Sequence, residues 1–190
     1  MKRFLAIACL AALMSGLSAA ETIYKGADKK EVVCYYQSRK FYSDAARKNM
    51  IFNHPGNVVG KEANIPYGKG LYRFNGGRIH KGFSVKKEDC IATLVELKTK
   101  RGDIVEAKIY QGYAIARDIV AKNEKGSVKT VTSYKITTDG INPAPVKVLY
   151  TIKDGKMYRG DSTDIKNCVL NWTGSFNGAR LLFMAIEFAK

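Results

Sequence analysis

Residues 71–98 return as residues 149–176 at a constant offset of 78, and a chain built from copies of one unit must pack those copies side by side. Identities at that offset are Leu71/Leu149, Tyr72/Tyr150, Gly77/Gly155, Gly82/Gly160, Ser84/Ser162 and Cys90/Cys168. Arg78/Lys156, Ile79/Met157, Lys81/Arg159 and Ile91/Val169 are conservative matches. The core of the unit recurs three more times. Ile23-Tyr24-Lys25-Gly26 leads to Cys34, and Lys108-Ile109-Tyr110-Gln111-Gly112 leads to Asp118-Ile119-Val120-Ala121. A more diverged copy runs from Lys40-Phe41-Tyr42 to Asn49-Met50-Ile51-Phe52-Asn53. The units therefore span about 22–36, 40–56, 71–98, 108–126 and 149–176.

Each unit reads as a β-hairpin. Asn75-Gly76-Gly77 and Asp154-Gly155 supply the positive φ that tight hairpin turns need, between runs of alternating apolar residues. The glycine closing each motif (Gly26, Gly82, Gly112, Gly160) marks a bend or bulge. Two helices compete with this pattern. Residues 42–50 around Ala45-Ala46 form a short candidate that the repeat contests. At the C-terminus, Asn177 can cap a helix over residues 178–189, in which Ala179, Leu182, Phe183 and Ile186 recur at helical spacing. Leu181, Met184 and Phe188 widen that stripe, so the helix must be buried on most sides. The expected fold is all-β: antiparallel hairpin repeats forming a small ring, barrel or propeller-like sheet, with one C-terminal α-helix packed on it.

The first 20 residues have the parts of a secretory leader. Lys2 and Arg3 precede an apolar run from Phe4 to Leu13, and Ser18-Ala19-Ala20 offers small residues at a cleavage point. Lipidation at Cys9 is disfavoured by the short approach to it. No later segment is long and apolar enough for a membrane helix. Residues 21–190 are expected as one periplasmic or secreted domain. The chain carries +15, and +13 without the leader. Such an excess favours anionic partners: an anionic glycan, lipopolysaccharide, an acidic protein or, further afield, nucleic acid.

Strand alternation assigns faces. Ile23, Phe41, Ile79, Ile109 and Met157 form one apolar column. The opposite face carries Tyr24, Tyr42, His80, Tyr110 and Tyr158, interleaved with Lys40, Arg78, Lys108 and Lys156. Tyrosines offer stacking platforms and cations hold phosphates or carboxylates, so Lys40, Tyr42, Arg78, His80, Lys108, Tyr110, Lys156 and Tyr158 are the candidate binding residues.

Cys34, Cys90 and Cys168 align in one repeat column with Met50 and Ile119, an apolar position. If the row closes on itself its first and last units meet, which predicts a Cys34–Cys168 disulfide and leaves Cys90 a buried free thiol. The spacings lack C-x-x-C and H-x3-5-H, so no metal or cofactor is expected, and no G-x-S-x-G, P-loop or H-E-x-x-H occurs. The leading expectation is an exported, non-enzymatic binding or inhibitor module. A secreted basic ribonuclease or phosphodiesterase using His54 and His80, the only two histidines, is the alternative.

Overall fold

The computed structural model describes residues 20–142 and 145–190, and the expected leader lies outside these residues up to Ala19. The strands of the first half are β1 (Glu21–Lys25), β2 (Glu31–Gln37), β3 (Lys40–Tyr42), β4 (Met50–Asn53), β5 (Val58–Val59), β6 (Tyr72–Asn75) and β7 (Arg78–Lys81). Then come β8 (Cys90–Lys100), β9 (Asp103–Gln111), β10 (Ile115–Glu124), β11 (Val128–Thr137), β12 (Val148–Lys153), β13 (Lys156–Arg159) and β14 (Cys168–Trp172). Among the described residues one α-helix, α1 (Gly178–Glu187), follows β14.

Twelve strands form one antiparallel meander in the order β4-β3-β2-β1-β14-β13-β12-β9-β8-β7-β6-β5. Its two ends are consecutive in sequence, and Asn53 and Gly60 exchange backbone hydrogen bonds of 2.8 and 2.9 Å across them. The sheet is thus a nearly closed barrel, and closure brings the first unit against the last through β1 and β14. β10 and β11 stand off this path as an arm that rejoins the wall where Val128–Thr130 pair with Lys98–Lys100.

The repeat explains the curvature. In five copies the ladder slips by one residue at the same place, between the apolar residue and the next: Ile23/Tyr24, Phe41/Tyr42, Ile79/His80, Ile109/Tyr110 and Met157/Tyr158. Each slip leaves two residues opposite one, a β-bulge that bends the strand and sharpens its twist. Two residues after the bulge, Gly26, Gly82, Gly112 and Gly160 all sit at φ between 62° and 70°. Their N–H groups donate to Val169, Leu71, Ile91 and Leu149 on neighbouring segments at 2.7–2.9 Å. A bulge repeated around the sheet is a device for closing a barrel.

The apolar column lines the lumen, and all five members are 0% exposed. Twelve strands enclose more space than wall side chains fill. The helix α1 occupies it, with Leu181, Leu182, Phe183, Met184 and Ala185 buried in the same core. The Phe183 ring lies 4.9 Å from both Phe41 and Phe52, and Asn177 caps the helix by accepting from the Arg180 N–H at 3.1 Å. At the other end Tyr72 donates to Glu187 and Tyr150 donates to the Ala189 carbonyl at 3.1 Å. No helix forms over residues 42–50. The Asp44 carboxylate instead accepts the Lys48 and Asn49 N–H groups, closing a turn that carries the chain into β4.

Two alignments of the repeat are corrected. Cys34 pairs with Ile23 as Ala92 pairs with Ile79 and Leu170 with Met157, so Val32 is the counterpart of Cys90 and Cys168. Ile119 lies in the arm, and the strand that follows Tyr110 in the barrel is β12, where Val148 is its partner. Cys34 therefore faces the lumen, while Cys90 sits opposite His80 on the outer side. Cys168 occupies the matching place opposite Tyr158, and all three are free thiols; the expected Cys34–Cys168 link is not formed.

Candidate functional site

The aromatic-cation ladder exists as a set of positions, but closure distributes it around the circumference. Lys40, Arg78, Lys108 and Lys156 stand on β3, β7, β9 and β13, each separated from the next by at least one strand. Lys108 is already paired with Asp161 at 2.8 Å. Three of the aromatic members are buried on the outer face: His80, Tyr110 and Tyr158. The Tyr110 hydroxyl meets that of Tyr134 at 2.6 Å under the arm. Tyr24 and Tyr42 are half-buried. The ladder is mainly structural, and it does not converge on one ligand.

The histidines are separated by the barrel wall. His54 is 6% exposed in the lumen, hydrogen-bonded to the Tyr36 hydroxyl at 3.0 Å. Burial, then the Arg180 guanidinium, holds its pKa down at about 4. His80 is 1% exposed on the outer side, and its Nδ1 lies 3.0 Å from the Lys86 carbonyl. That oxygen can only accept, so Nδ1 carries the proton. The geometry does not bring the two rings together as an acid–base pair.

Cations and a half-buried aromatic ring do meet at Tyr113. The Arg78 guanidinium lies 4.4 Å from the ring centroid, and Lys87 Nζ lies 5.4 Å from it. Local chemistry fixes the ring. Gly112 turns at φ 66° and donates to Ile91 at 2.8 Å. The Thr93 hydroxyl donates to the Gly112 carbonyl at 2.8 Å and accepts from the Ala114 N–H at 3.0 Å. One side chain thus clamps the backbone before and after Tyr113, and Arg78 Nη2 adds a third tie to the Ala114 carbonyl at 3.0 Å.

Around this ring is an open concavity of about 660 Å³, whose lining includes Lys87, Glu88, Gln111, Tyr113, Thr138 and Lys147. Its size falls in the range of small-ligand sites. Gln111 donates its N–H to the Lys147 carbonyl at 2.9 Å, which joins the two sides. Cys90 also contributes to the lining, and burial raises its thiol pKa, the wrong direction for a nucleophile. Among the described residues, no group of three His, Cys, Asp or Glu side chains could hold a metal ion.

Of the expected binding residues, Arg78 alone is part of this arrangement. Tyr113, Lys87, Thr138 and Lys147 escaped the repeat argument because they lie in its variable connections, and Gln111 because it stands on the motif's apolar parity. A signal was present: the residue after the repeat glycine is aromatic in two copies, Phe83 and Tyr113, and both rings carry an arginine, Arg73 at 4.8 Å and Arg78 at 4.4 Å. Comparison with protein-family models, curated proteins and solved structures finds no match for the chain.

Proposed function

We propose that this chain is an exported, non-enzymatic binding module for an anionic glycan, held in the concavity around Tyr113. Export rests on the leader-like residues 1–20. The observation that supports the binding reading is the clamped Tyr113 ring, with Arg78 and Lys87 over it, in the lining of an open concavity shared with Lys87, Gln111, Thr138 and Lys147. A pyranose presents a C–H face to an aromatic ring, its hydroxyls suit amide and hydroxyl groups, and its carboxylate or sulfate suits lysine. The single ring argues for a saccharide over single-stranded nucleic acid, which is usually tracked by successive stacking platforms along a basic groove.

The test is a calorimetric titration with an oligomer of a uronic acid and with its neutral hexose counterpart, at low and at high salt. The charged oligomer should bind at least about tenfold more tightly, and its advantage should shrink as salt screens the exposed lysines. Equal affinities for the two oligomers would remove the anionic glycan from the account.

A further inference from the structure

We infer that a second cleft, at the barrel mouth beneath the arm, is a binding site for a single-chain aliphatic carboxylate. The cleft measures about 380 Å³. Its walls are Leu97 of β8, Ile115, Ala116 and Ile119 of β10, and Val131 of β11; Arg78 and Lys129 also line it. Ile119 is 53% exposed, a large apolar side chain left open to water at the edge of a preformed cleft.

The register supplies charge beside those walls. Lys129 stands opposite Thr99, and Val131 lies two residues further along the same strand, so Lys129 and Val131 present to one side of the arm. Among the described residues, neither Arg78 nor Lys129 enters an ion pair. The carboxylate in the lining, Glu96, lies beside Gly178 at the start of α1, where the helix N-terminus answers its charge. An apolar trough with Arg78, Lys98 and Lys129 on its walls against the single carboxylate of Glu96 fits an alkyl chain ending in a carboxylate. A second copy of this chain fits poorly, since its own net charge of about +13 repels it.

Decanoate, decanol and hexanoate separate the parts of this inference in calorimetric titrations of the full mature chain. Decanoate should saturate one site, and decanol and hexanoate should each bind at least fivefold more weakly. Ile119→Asp and Ile119→Trp should each weaken decanoate at least tenfold, the first by charging the wall and the second by filling the cleft. Two different substitutions guard against a folding artefact, and thermal melts report on that separately. Lys129→Glu should erase the preference for decanoate over decanol. Lys147→Gln, which lines the Tyr113 concavity and not this cleft, should leave decanoate binding unchanged while weakening any uronate binding, so this inference and the glycan reading fail independently. Absence of saturable decanoate binding, undiminished binding by both Ile119 variants, or loss of decanoate binding in Lys147→Gln would overturn the inference.

Discussion

The guanidinium of Arg78 lies 4.4 Å from the centroid of the Tyr113 ring while its Nη2 donates to the Ala114 carbonyl at 3.0 Å. One side chain on the barrel wall therefore holds both the ring of the candidate glycan site and the backbone at the root of the arm. Because the contact uses the planar fork as well as the charge, lysine is not an equivalent replacement.

Arg78→Lys should accordingly loosen Tyr113 without unfolding the barrel. The expected result is a threefold to tenfold loss of uronate affinity, with a stability loss of about 1 kcal/mol from the weaker stacking and hydrogen bond. Urea titration and calorimetry on the same preparation read the two effects. An affinity equal to wild type would show that the ring needs no such support.

The helix in the lumen should dominate stability. Phe183 packs at 4.9 Å against Phe41 and Phe52, rings contributed by adjacent strands β3 and β4, and is 1% exposed. Phe183→Ala removes those contacts and leaves a void, which should cost about 3–5 kcal/mol in urea denaturation. A cost below about 1 kcal/mol would mean that the helix does not plug the barrel.

Acid should weaken the fold through His54. Its pKa is about 4 in the folded chain, below the ordinary 6.5, because burial and Arg180 disfavour the imidazolium. Between these values the unfolded chain binds the extra proton, so stability is full above about pH 6.5 and declines as pH falls towards 4. The decline due to this residue is up to about 3 kcal/mol. His54→Gln should flatten that part of the profile of unfolding free energy against pH, and an unchanged slope would assign the acid sensitivity elsewhere.

The three cysteines among the described residues should differ in reactivity. Burial pushes the Cys34 thiol up to about 12, while Cys168 is half-buried on the outer side, where burial raises its pKa and Lys156 opposes the rise. A thiol reagent at mildly alkaline pH should modify Cys168 before unfolding and Cys34 only with it. Mass mapping that found a Cys34–Cys168 disulfide in the native chain would contradict the lumen position of Cys34.

The same cysteines mark where the sequence could be read and where it could not. The fold class, the Asn75–Gly77 and Asp154-Gly155 turns, the lumen column from Ile23 to Met157 and the cap at Asn177 all follow from spacing, because local periodicity and turn chemistry decide them. Motif spacing places Cys34 two residues out of register because the first unit has a shorter connection between its strands, a length that the ladder reveals and the motif does not. Alternation also separated the two faces of each strand, but it could not say that the outer face of His80, Tyr110 and Tyr158 is covered. That cover comes from the connections and from the arm, whose packing is a tertiary matter. Tyr113, lying just beyond a repeat glycine, was invisible to an argument built only on the shared positions.

The central claim is that Tyr113 forms the floor of an anionic-glycan site, and its side chain can be removed without disturbing the Thr93 clamp on the backbone around it. The direct measurement is calorimetric titration of a uronic-acid oligomer into wild type, Tyr113→Ala and the Lys87→Gln/Lys147→Gln double variant, with thermal melts as the folding control. The account predicts at least tenfold weaker binding by Tyr113→Ala, a flatter salt dependence for the double variant, and melting temperatures close to wild type. Wild-type affinity and salt dependence in both variants would contradict it.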